Sequence, residues 1–340
     1  AFCHDRMQQA TYLLTPEAKR YELHLEMAER LERRDEAESR WAAAEHYAAA
    51  ASIIADPDIG LRARQRFLWA ARRARQTAAY SAAEHFLHLC QSLTPSASLW
   101  QQDPHFAFEL HTELHTVLYC LARHDEADAV FKLLEQNTPS ELALVDPGCL
   151  HIASLSNRTR YEEAIGLGRK LLQSLGQAFP DGALPQEGLL AAVEAELAAF
   201  NQHVARGALQ HLRNSDLLQD ERLISVSRLL NSIISAAFFT QPMLAFWVLL
   251  RSARGWFEEG YSRFFLYPMG CAMLPLIALR EDHATGYRAA QMALQAGLAR
   301  DGGVETARLQ HVFGLFCAHW FEPLQSALPH AQSALQGLLH

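Results

Sequence analysis

No two of the six cysteines (Cys3, Cys90, Cys120, Cys149, Cys271, Cys317) form a C-x-x-C pair. That spacing indicates neither a zinc site nor a disulfide framework, so a reducing cytoplasm is the expected setting and the thiols read as small core residues. Equally missing are the phosphate loop G-x-x-x-x-G-K-[ST] and the dinucleotide fingerprint G-x-G-x-x-G. There is no G-x-S-x-G elbow, no H-R-D or D-F-G kinase signature and no H-E-x-x-H. Those absences remove the enzymes that a motif can announce. No secretory leader opens the chain. Long apolar runs are lacking too. Residues 229–250 are uncharged but broken at Thr240-Gln241-Pro242, and residues 264–279 hold Pro268 and Pro275. A bilayer span needs roughly 20 apolar residues, so both stretches read as buried helices of a soluble fold.

What is present favours helix. Half of the 340 residues are hydrophobic, led by Ala and Leu, with few β-branched residues, and Ala and Leu are strong helix formers. The formal net charge of −8 opposes non-specific binding to nucleic acid or anionic membrane, both polyanions. One basic concentration stands out: Arg62, Arg64, Arg66, Arg72, Arg73 and Arg75. It lies on a helical stretch and reads as a solvated face with acidic neighbours such as Glu84; a phosphate site is the alternative.

A recurring unit emerges: a helix of about 15–20 residues, a short break, and a second amphipathic helix. Residues 60–77 lead into 80–93, residues 104–123 into 125–136, and residues 141–157 into 161–175. The second helix of each pair carries a small residue near its start, at Ala83, Ala127 and Ala164, recurring 44 and 37 residues apart. Those intervals slightly exceed the tetratricopeptide period of about 34. A small residue lets two helices approach, and a larger one (Leu87, Phe131, Leu167) fills the neighbouring groove. One pair cannot bury both faces, so pairs must stack. The segment Phe179-Pro180-Asp181-Gly182-Ala183-Leu184-Pro185 reads as a seam. Further helices follow near 187–206, 208–213, 220–239, 242–259, 262–279, 284–300 and 303–320, with one more from 323 onward. The chain stops inside a helical stretch and is expected to be cut from a longer polypeptide.

Chemistry-bearing clusters are sparse. His111 and His115 stand one helical turn apart and could hold a metal with a third ligand; the plainer reading is two polar groups on a solvent or groove face. His85 and His88 read the same way. His311 and His319 fit a core or interface role. Glu126 with Asp128, and Glu162 with Glu163, complement helix N-termini rather than forming an acid–base pair. No catalytic, cofactor-binding or metal-binding residue is expected. The aromatic concentration is the one candidate surface: Phe238, Phe239, Phe246, Trp247, Trp256, Phe257 and Tyr261, with Phe264, Phe265 and Tyr267 beyond. Core packing explains it most simply. The alternative is an apolar groove for a partner helix or small ligand.

Two strings carry a family resemblance. Phe2-Cys3-His4-Asp5-Arg6-Met7-Gln8-Gln9-Ala10-Thr11-Tyr12, with Leu14 and Pro16 and then His24-Leu25, resembles the junction F-x-H-D-R-x-Q-Q-A-A-Y-S-L-I-P of large bacterial signalling proteins. Phe316-Cys317-Ala318-His319-Trp320-Phe321-Glu322-Pro323-Leu324, with Leu328-Pro329, resembles a later F-x-x-H-W-x-x-P-L…L-P stretch. Residues 72–86 and 161–175 and Phe239-Thr240-Gln241-Pro242 also fit, so the resemblance covers nearly the whole chain. Thr11 replaces the usual Ala. The family is the serine/threonine kinase–STAND/AAA ATPase–sensor histidine kinase group, in which the first string closes the ATPase module and leads into tetratricopeptide-like repeats.

The resemblance implies an all-α, tetratricopeptide-like superhelix (solenoid) of stacked hairpins. Residues 1–30 would be the winged-helix-like tail of the ATPase module and 31–178 a first repeat array. Residues 179–187 would link it to a second array over 188–340, cut at its end. The implied partners are kinase, ATPase and sensor modules of the same polypeptide, with no nucleic acid and no membrane span. The implied function is a non-catalytic regulatory relay, without cofactors, in the cytoplasm. The competing expectation is a small-molecule sensor with an apolar pocket in residues 229–267.

Overall fold

The computed structural model describes residues 5–34, 36–94, 96–180, 186–300 and 303–339. Phe2, Cys3 and His4 of the first resemblance string, and residues 181–185 of the expected seam, lie outside that set. All regular elements among the described residues are helical, apart from one isolated parallel bridge between Leu217 and Tyr261. The all-α expectation holds. The chain divides into two compact units, Ala1–Ser140 and Glu141–His340. The expected seam at 179–187 falls within the second of them.

The first unit contains α1 (Asp5–Leu14), α2 (Glu17–Glu32), α3 (Ala37–Ala50), α4 (Pro57–Gln76), α5 (Tyr80–Leu93), α6 (Ser96–Gln102), α7 (Pro104–Cys120) and α8 (His124–Gln136). Starts are written in the sequence: Asp56 and Asp103 cap α4 and α7 through their carboxylates, each with Pro at the first helical position, where a missing N–H costs nothing. Helices α2/α3, α4/α5 and α7/α8 pack as pairs. Tyr47, Phe67, Leu87, Leu99, Leu110 and Leu134 are fully enclosed.

The basic face of α4 is neutralised by its neighbours. Arg62 meets Glu29, Arg66 meets Glu32, and Arg72 and Arg75 share Glu113, Arg72 also reaching Glu109. The acidic partners lie on α2 and α7, whereas Glu84 of α5, expected beside this face, instead receives Arg123. Arg64 lies over the Phe106 ring.

The second unit contains α9 (Val145–Asn157), α10 (Tyr161–Ser174), α11 (Gln186–Ala205), α12 (Ala208–His211), α13 (Glu221–Thr240), α14 (Pro242–Glu259), α15 (Leu266–Cys271), α16 (Met273–Arg280), α17 (His283–Ala299), α18 (Gly303–Val312) and α19 (Ala327–Leu339). The stretch expected as one helix over 262–279 is instead a 3₁₀ turn (Arg263–Phe265) followed by α15 and α16. Beyond α18 the chain widens into a π turn (Phe313–Cys317) and then tightens into a 3₁₀ turn (Ala318–Trp320).

Helix α13 is central, packing on α9, α10 and α14. It is long and apolar enough to cross a membrane, by length and composition only, but most of its apolar window is buried in protein. It also buries Ser225, Ser227 and Asn231. Gln241 and Pro242 end it and begin α14.

One turn recurs across the chain. Among the described residues, the non-glycine positions with left-handed φ are Ala78 (57°), Ala122 (58°), Thr159 (60°) and Glu281 (55°). In three cases the next residue donates its N–H to a carbonyl five positions back, Ala79 to Ala74, Arg123 to Leu118 and Arg160 to Leu155; in the fourth Asp282 reaches six back, to Leu276. Such turns satisfy the orphan carbonyls at a helix end. Five residues beyond each lies a buried small residue: Ala83, Ala127, Ala164 and Gly286. A Cβ at Gly286 would stand 2.7 Å from Met273 Cβ, so the small residue serves close helix approach, as the spacing predicts. The fourth copy, at 281–286, was not visible in the sequence.

Candidate functional site

The seven aromatic residues singled out do not form one surface. Trp256 is 1 % exposed, and Trp247 and Tyr261 are also buried. Trp247 meets Phe179 edge-on, Phe257 lies between Phe200 and His203, and Trp256 abuts Tyr261. Phe246 is half-buried. Trp247, Trp256, Phe257 and Tyr261 serve packing. Phe238 and Phe239 are different: they are 49 % and 67 % exposed, and Phe239 stacks on Tyr161 of α10.

These two rings end a stripe along the open side of α13. Arg228, Ser232, Ser235 and Phe239 follow one another at helical spacing and are the partly or fully exposed residues of that face. The stripe runs for about 16 Å at 1.5 Å per residue. Two clefts lie over it and meet at Ser235, which lines both. The first, about 300 Å³, is walled by Cys149, Ala153 and Asn157 of α9 on one side and by Phe264 and Arg308 on the other. The second, about 260 Å³, is walled by Leu249, Tyr267, Cys271, Val312 and Phe316. The groove is therefore polar at one end and apolar at the other.

At the polar end Arg228 pairs with Asp146 and lies over Phe264. Arg308 donates to Glu305 at 3.2 Å and lies over Tyr267. Two guanidiniums and two carboxylates leave no net charge there. Asn231, 6 % exposed, lines this end and donates its amide N–H to Glu305 Oε2 at 3.3 Å. Because a carboxylate only accepts, that bond identifies the nitrogen end of the amide. Its Oδ1 has no hydrogen-bond partner among the described residues. The Cys149 thiol beside it is pushed up to about 11, chiefly by burial, so it is not a thiolate nucleophile at neutral pH.

Among the described residues the histidines do not gather into a three-ligand cluster. His111 and His115 are buried in α7, not on a solvent or groove face. His111 donates from Nδ1 to the Ala107 carbonyl at 2.7 Å and stacks on Trp100, and burial holds its pKa below the usual range. His85 and His88 are exposed as expected, His88 beside Glu84. His311 and His319 are exposed, which rules out a core role. No group of three or more metal-binding side chains occurs among the described residues. Glu126 and Glu163 are each gripped by the arginine three residues earlier, Arg123 and Arg160, through both carboxylate oxygens. That fixes helix starts rather than holding an acid and base together.

No family model, no curated protein and no solved structure matches the chain.

Proposed function

We propose that this chain is a non-catalytic regulatory module, each unit a stack of tetratricopeptide-like hairpins. On this reading it receives a ligand or partner in the α13 groove and relays that event to kinase and ATPase modules of the same polypeptide. The observation that carries the reading is the groove itself. An exposed stripe of the central helix, walled on both sides, presents two exposed phenyl rings to solvent, where a fold optimised only for stability would bury them. The recurring turn and small residue support the repeat architecture. The relay role rests on the two resemblance strings and is a fold-level analogy. The reducing cytoplasm is proposed from the scattered cysteines, and the absence of nucleic acid among its partners from the acidic net charge.

The test is incubation of the purified chain with magnesium and labelled ATP. No hydrolysis and no self-phosphorylation above buffer is expected. Turnover that co-purifies with the chain through successive columns would overturn the proposal. A second reading, a small-molecule sensor, is favoured by one specific feature: the apolar cleft is about 260 Å³, near the lower end of ligand-pocket sizes.

A further inference from the structure

We infer that the α13 groove binds a neutral single-chain amphiphile whose head is an amide, its chain lying along Phe238, Phe239 and Phe316. This inference rests on the reading of the chain as a binding module and names the ligand class of that groove.

Three observations select the head. The polar end has two guanidiniums and two carboxylates, Arg228 with Asp146 and Arg308 with Glu305, so an ionised head gains no net field while losing hydration. Asn231 Oδ1 is an acceptor without a donor, which calls for an N–H or O–H on the ligand. Each guanidinium carries five N–H donors and spends only some of them on its carboxylate, which calls for an acceptor nearby. An amide supplies the donor and the acceptor side by side without charge. Asn231 Oδ1 is enclosed by protein, so the amide must turn about its soft terminal torsion, loosening its bond to Glu305, for the oxygen to meet a head group entering from the polar cleft.

The second cleft selects the tail. Its walls are Leu249, Val312, Phe316 and the ring of Tyr267, with Phe238 and Phe239 on the floor helix. A helical peptide is the weaker occupant. Beyond its first turn its backbone N–H groups are already bonded internally, so along most of its length they cannot satisfy the Asn231 acceptor.

The test uses the 340-residue chain and calorimetric titration below the micellar range with four probes. They are N-(2-hydroxyethyl)dodecanamide, its N-methyl derivative, dodecanoate and dodecyltrimethylammonium. The amide is expected to bind one per chain and at least about tenfold tighter than either ion, a ratio one good hydrogen bond plus avoided desolvation supplies. N-methylation should cost about tenfold in the native chain and nothing in Asn231→Leu. Because Asn231→Leu could disturb folding, Ser235→Trp, at an exposed position, provides the second variant. It should abolish binding of the amide with an unchanged Tm.

Equal affinity for dodecanoate, indifference to N-methylation, or unchanged binding in Ser235→Trp overturns the inference. If no probe binds while Ser235→Trp still alters the output of attached kinase modules, the ligand class fails and the module reading stands. If the chain itself turns over ATP, the module reading fails whatever the probes do.

Discussion

Trp256 donates its indole N–H to Ser215 Oγ at 2.9 Å, tying α14 to the loop that follows α12. That loop runs beside residue 261: Leu218 N–H meets the Tyr261 carbonyl at 2.9 Å and Tyr261 N–H meets the Asp216 carbonyl at 2.7 Å. Arg300 closes the knot by donating to the carbonyls of Arg213 and Ser215 and lying 4.5 Å from the Tyr261 ring centre. The aromatic residues here are structural. Ser215→Ala is expected to cost about 1–3 kcal/mol, because it leaves a buried indole N–H unsatisfied. Trp256→Phe, which removes the donor as well, leaves a cavity and is expected to cost at least as much. Urea unfolding midpoints measure both, and neither change should alter amphiphile binding in the α13 groove.

The left-handed alanines invert the usual expectation for glycine. Ala122 holds φ at 58° between α7 and α8, a conformation that costs an L-residue about 1–2 kcal/mol. Ala122→Gly relieves that strain but widens the unfolded ensemble by up to about 1 kcal/mol. The net is expected to be a small stabilisation of the first unit, seen as a higher urea midpoint. Ala122→Val at the same place should lower it.

Gly168 sets the distance between α10 and α13. A Cβ there would stand 2.5 Å from Ile233 Cδ1 and 2.6 Å from Cγ1, closer than real carbon contacts. Gly168→Ala is therefore expected to destabilise the second unit by about 1–3 kcal/mol through overpacking. Ile233→Val removes Cδ1 and should restore part of the loss in the double variant. Denaturation of the two single variants and the double variant closes the cycle.

His24 and His46 face each other Nδ1 to Nδ1 at 2.7 Å, with the Tyr12 hydroxyl 3.2 Å from the far nitrogen of His24. A single proton fits between the two nitrogens, so at least one ring is neutral. Burial first, then the His24 charge, hold His46 below 6.5, against an opposing pull from Glu45. With the folded value depressed, the unfolded chain binds more protons in the window just below pH 6.5. Stability of the first unit is thus complete above that window and is lost as pH falls through the folded value. The Tm of this unit should drop between pH 7 and pH 5, and His46→Gln should flatten the slope.

Helices such as α4, α5 and α7 were legible because their periodicity, Asp caps and leading prolines are local. Helix α5 runs from Tyr80 to Leu93 as the spacing predicts. The alanines at 83, 127 and 164 marked the small residue near the start of each second helix, but the turns before them did not show, since Ala, Ala, Thr and Glu occupy places where Gly or Asn is the usual signal. Gly286 hid the fourth copy for the same reason. The aromatic cluster was visible as composition only. Whether Trp256 or Phe239 faces water depends on which helices cover α13 and α14, and that is settled by tertiary packing rather than by spacing. The polar end was missed altogether, because Arg228, Asn231 and Arg308 converge from positions up to 80 residues apart.

The most direct measurement joins the groove to its consequence. On the proposed reading, in which kinase modules share a polypeptide with this chain, their phosphoryl transfer is compared between native α13 and Ser235→Trp. The account predicts a severalfold change in rate with the Tm of the second unit unchanged. Equal rates, with the groove shown to be blocked and the Tm unchanged, would contradict it.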